Sequence, residues 1–148
     1  MISFIGLLLF IAGFVVGLGA VTVIDLHGFL ALRSPYWTET TIRAHKVTKP
    51  LTWIGTILAI TGGVVFYSQH AFTWIPMVHT IVAPVLIANG CFLSFYVSPY
   101  LLKQEREGRE RELLPTRLQL AISTSFGVSF TSWWGSLALL AWYLIHYV

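Results

Sequence analysis

All nine lysines and arginines of this chain fall into two short connections. Arg33, Arg43, Lys46 and Lys49 occupy the first, and Lys103, Arg106, Arg109, Arg111 and Arg117 the second. Outside them the sequence is apolar for long stretches. The opening run, Ile2 to Ile24, has no charge, and at about 1.5 Å per helical residue it can cross ~30 Å of hydrocarbon. The same pattern recurs and predicts helices over 2–32, 35–68, 74–100 and 117–147. The expected fold is therefore all-α: one domain over 1–148, a polytopic membrane protein built as a bundle of four transmembrane helices. Composition agrees, with 56% hydrophobic and 10% charged residues, against about 25% charged in soluble domains.

In a four-span chain the two basic connections lie on the same side. The positive-inside rule then puts both in the cytoplasm, with both termini and the Ser68–Trp74 connection outside (N-out, C-out). The expected location is a bacterial inner membrane. On the outer side Tyr67, Phe72, Trp74, Trp142, Tyr143 and Tyr147 read as an interfacial aromatic belt. The net charge of +3 resides in loop anchors rather than a solvated patch, which argues against nucleic acid as a partner. Cys91 stands alone, without a disulfide framework or CxxC motif, and reads as a packing residue. The N-terminal run lacks a basic leader and is too long for a signal core, so it is expected to stay as the first span. The segment 103–117 alternates acid and base around Gly108 and Pro115, which fits a solvated turn whose charges neutralise one another.

In lipid, small residues at helical spacing mark helix contacts. The first helix carries Gly6, Gly13, Gly17 and Ala20, a row that ends at His27. The second carries Thr38, Thr41, His45, Thr48, Thr52, Gly55, Ala59 and Gly62, and the fourth Ser125, Ser129, Ser132 and Ser136. The third has Pro84 in its interior and Asn89 in an apolar run. That asparagine needs a partner, for which Thr56 and Ser125 are the candidates.

Ser34-Pro35 is a strong helix start, with Ser as cap, Pro in the first turn and Glu39 near the positive dipole end. A tight hairpin folded at Ser34 reflects Asp25 onto Arg43, with His45 and Lys46 within about a turn. Asp25 is the only carboxylate inside an apolar run, so a salt bridge to Arg43 or Lys46 is expected. The polar centre would then comprise Asp25, His27, Arg43, His45, Lys46 and Asn89. It is either a structural ion pair or a site for a proton, a cation or an anionic head group. His70, Met77, His79 and His146 fall on the outer side and supply ligand types suited to copper.

The layout of short-looped spans, the hairpin GFLALRSPYWTETTIRAHKVTKPLTWIG, the pair Gly62-Gly63 and the charged connection before the fourth span resembles the copper-resistance D and membrane protoporphyrinogen oxidase group. That resemblance implies four membrane helices and, in haem b-binding members, a buried His early in span one with a Lys or His in span three. Here span one has no His before His27, and the middle of span three offers Asn89 and Phe92. No acid–base pair, nucleophile set or phosphate loop is visible. The favoured reading is a non-catalytic accessory or ligand- and lipid-binding module, in a homo-oligomer or larger membrane complex. The alternatives are a haem- or copper-handling redox protein and an oligomeric transporter of small solutes or ions.

Overall fold

A computed structural model describes residues 1–31, 34–109 and 111–148, the side chain of Trp37 excepted. Four long helices account for most of it: α1 (Ile2–Ala31), α2 (Pro35–Tyr67), α3 (Trp74–Arg106) and α4 (Thr116–Tyr147). Each is long and apolar enough to cross a membrane, and no strand occurs among the described residues. The helix limits agree with the sequence reading to within a few residues, except that α3 continues past Tyr100 to Arg106.

The hairpin of α1 and α2 is the closest pairing, and glycine makes it so. A methyl group added at Gly13 would strike the backbone of Ala59, one at Gly62 the backbone of Phe10, and one at Gly6 the backbone of Phe66. A methyl group added at Gly55 would strike the backbone of Gly17, and one at Gly17 the ring of Trp133. Two backbones come this close only where no Cβ intervenes. Together these contacts define a single antiparallel register.

Ser34 precedes α2 in extended conformation with Pro35 in the first turn, as expected, but its side chain caps nothing. The junction is held from the other direction. The buried Thr38 hydroxyl points its one hydrogen back between the carbonyls of Ala31 (3.3 Å) and Ser34 (3.2 Å).

Two apolar clusters lie at opposite ends of the bundle. One gathers Phe10, Phe14, Leu18, Phe66, Ile75, Trp133, Leu140 and Tyr143. The other, at the end carrying the basic connections, gathers Ile42, Val97, Leu101, Leu114 and Leu118. Tyr143 corrects the aromatic-belt expectation: it is fully buried and donates to the Ala71 carbonyl at 2.9 Å. Phe72, Trp74, Trp142 and Tyr147 stay exposed.

One turn of α3, Leu93–Val97, is a π-helix, and Pro99 accounts for its effect. The Ser98 N–H reaches back to Leu93 instead of Ser94, while Pro99 has no N–H to give. The Ser94 carbonyl is thereby left open. Such π turns often occur at functional sites, and this one abuts the cavity described next.

Candidate functional site

Between the two clusters lies a cavity of about 110 Å³. α1 contributes Asp25; α2 contributes Thr38, Thr41, His45, Thr48, Lys49, Thr52, Trp53 and Thr56. Asn89 and Ser94 of α3, with Ser125, Ser129 and Trp133 of α4, complete its polar and aromatic lining. The threonine row on α2 therefore divides. Its glycine and alanine half packs on α1, and its hydroxyl-bearing half opens into the cavity.

Asp25 is nine-tenths buried, and its Oδ2 has no hydrogen-bond partner. The expected salt bridge is absent among the described residues. Arg43 pairs instead with Glu39 at 2.6 Å, and Lys46 with Glu105 at 2.8 Å. The cause is register. Continuing the glycine pairings of α1 and α2 sets Asp25 level with Val47 and Thr48, about one turn, roughly 6 Å, beyond Arg43. Arg43 and Lys46 then turn outward, where acidic partners on α2 and α3 meet them. Arg111 also reaches Glu39, at 3.0 Å, so two cross-element pairs tie the charged connection to α2. The segment 103–117 is thus not wholly self-neutralising.

His27 is likewise displaced from the role expected of it. The inward row of α1 follows the four-residue ridge Gly13, Gly17, Val21, Asp25, all buried. His27 is absent from the cavity lining, and its Nδ1 lies 2.8 Å from its own helix's Val23 carbonyl. His45 does enter the cavity, and its Nε2 is buried without a hydrogen-bond partner. Asn89 finds Ser125: the serine hydroxyl donates to Oδ1 at 2.7 Å, and Nδ2 donates to the Ser125 carbonyl at 3.2 Å.

Assigning each proton gives the cavity its chemical character. The hydroxyls of Thr48, Thr52 and Thr56 donate to the carbonyls of Ala44 (3.0 Å), Thr48 (2.9 Å) and Thr52 (2.8 Å). A hydroxyl has one hydrogen and two lone pairs, so these oxygens can only accept from anything in the cavity. The Trp53 indole donates to the Ser94 hydroxyl at 3.0 Å, and the half-buried Lys49 ammonium to the opened Ser94 carbonyl at 3.2 Å. With the Asp25 carboxyl added, the lining is rich in acceptors, and Lys49 places one ammonium among them. Lys49, Trp53 and Ser94 were not anticipated as site residues. The available signal was Ser98-Pro99, a proline placed where it withdraws an N–H within a helix.

The residues proposed for copper are not gathered. His70 bonds through Nδ1 to the Phe66 carbonyl and through Nε2 to Ser3, while His146 bonds through Nδ1 to the Trp142 carbonyl. Met77 is exposed. Both nitrogens of His79 are engaged, by Tyr67 and by the Ser136 carbonyl. Among the described residues no three of His, Cys, Asp or Glu are placed to hold an ion. The position in span three at which the resemblance would place a haem ligand holds Asn89, committed to Ser125 at both ends of its amide. The cavity beside it, of about 110 Å³, is smaller than the ~300–1,000 Å³ typical of sites for drug-sized molecules. No protein-family model, curated protein or solved structure matches this chain.

Proposed function

We propose that the chain is an integral membrane protein of a bacterial inner membrane, N-out and C-out, with both basic connections in the cytoplasm. In this reading it is a non-catalytic binding module that admits a small protonated amine to the cavity around Asp25. One observation carries the reading: a nine-tenths buried carboxyl with an unpartnered oxygen faces a space into which the Thr48, Thr52 and Thr56 hydroxyls can only accept. An unpaired buried carboxylate costs several kcal/mol, and a cation bearing several N–H groups offsets that cost while satisfying the threonine lone pairs. The cavity of about 110 Å³ has room for a molecule of a few heavy atoms, since one water needs roughly 10–15 Å³ on the same measure, and methylammonium fits within it.

The test is titration calorimetry with methylammonium chloride on protein held in lipid nanodiscs. Wild type is expected to bind, and Asp25→Asn, which preserves shape but not charge, to bind at least about tenfold more weakly. Equal heats in the two proteins would refute the assignment. Sidedness is tested separately with Glu112→Cys: labelling from outside intact cells by a membrane-impermeant thiol reagent contradicts a cytoplasmic location.

A further inference from the structure

The bundle contains a second cavity, of about 410 Å³, which shares Thr56, Leu86 and Trp133 with the first as a common wall. We infer that it binds an uncharged amphiphile headed by a hydroxyl group, drawn laterally from the bilayer. The inference depends on the membrane reading above but not on the amine assigned to Asp25.

Three features support it. The body of the cavity is apolar, with Phe10, Phe14, Ala83 and Leu86 in its wall, and its lining contains no Asp, Glu, Lys or Arg. A charged head group would therefore have no counter-ion. Second, Val64 and Phe72 also line it, yet are 67% and 69% exposed, so the cavity opens onto the outer surface of the bundle rather than being sealed.

The third feature selects the head group. His79 Nε2 lies 2.9 Å from the Ser136 carbonyl, and a carbonyl can only accept, so this nitrogen bears the hydrogen. In the neutral ring Nδ1 is then an acceptor, and it takes the Tyr67 O–H at 2.9 Å. The phenol's only hydrogen is thereby committed, leaving its oxygen to the cavity as an acceptor. Thr80 and Ser68 repeat the pattern, donating to the carbonyls of Pro76 (2.9 Å) and Val65 (2.8 Å). An alcohol supplies the hydrogen these oxygens can take. An ether or ester head supplies none.

The experiment compares a diazirine-bearing long-chain alcohol with its methyl ether, photolysed with the full-length protein in nanodiscs and mapped by mass spectrometry. The alcohol is expected to label cavity-wall residues roughly fivefold more than the ether, the worth of about one hydrogen bond. Ala83→Trp should reduce labelling by occupying the space. If Ala83→Trp does not fold, Ala83→Leu serves the same purpose. Asp25→Asn should leave alcohol labelling unchanged, which separates this site from the amine site. Equal labelling by alcohol and ether, or label spread evenly over the exposed helix faces, would each overturn the inference.

Discussion

Replacing Gly13 with alanine tests the claim that glycine contacts set the register of the hairpin, and the structure supplies its own control. At Gly13 the new methyl carbon would lie 2.6 Å from Ala59 Cα and 2.8 Å from Ala59 Cβ, where carbon atoms normally rest about 3.5–4.0 Å apart. Backbone cannot swing aside as a long side chain can, so α1 and α2 must separate by about 1 Å. A gap of that size removes a quarter to a half of the dispersion energy of the atoms lining it, and the neighbouring Gly17–Gly55 contact is loosened with it. Overpacking of this kind costs about 1–3 kcal/mol. Gly19 sits in the same helix, and a methyl group added there would meet nothing within 4 Å. Alanine gains the same intrinsic helix propensity at both sites, about 0.8–1.0 kcal/mol, so that term cancels in the comparison. Gly13→Ala is therefore expected to be about 1–3 kcal/mol less stable than Gly19→Ala. The assay is equilibrium unfolding in mixed micelles of rising SDS fraction, followed by tryptophan fluorescence. Equal midpoints for the two variants would refute the backbone-contact argument and the placement of Asp25 that rests on it.

Three further outcomes are expected. Asn89→Ala removes both bonds to Ser125 and should lower stability in the same assay by about 1–2 kcal/mol; no change would mean that the pair does not hold α3 to α4. A double-mutant cycle on Lys46→Ala and Glu105→Ala should give a coupling of roughly 0.2–1 kcal/mol that fades with added salt, whereas zero coupling at low salt would dismiss this tie between α2 and α3. Finally, Arg109 donates to Glu107 and holds its carboxyl below the usual carboxylate range. A lowered folded-state value means that the pair's stabilisation is present above the ordinary carboxylate pKa and is lost as pH falls through the lowered one. Carboxyl NMR titration should show Glu107 moving up in Arg109→Ala, and an unchanged titration would contradict the contact.

The number of helices, their approximate limits and the small residues at their contacts were legible in the chain itself. These depend on length, hydrophobic runs and a 3.6-residue period, all local properties. Asn89 also announced its need for a partner, because a polar amide in an apolar run has few ways to be satisfied, and Ser125 was among the candidates. Cross-chain pairing was not legible. Reflection about Ser34 assigned Arg43 to Asp25, but the crossing of two glycine-faced backbones shifts that pairing by about a turn. Glu39 and Glu105 then take the cations that Asp25 was expected to claim.

Sequence alone therefore determined that four helices would form and which small residues would lie on their contact faces. Tertiary structure decided which polar groups would be left without partners. Hydrogen-bond and ion-pair choices are settled by separations of a few ångströms between segments far apart in the chain, and helical periodicity does not encode those separations. That is why a carboxyl expected in an ion pair instead faces an acceptor-lined cavity, and why a histidine proposed as a metal ligand instead orients the Tyr67 phenol.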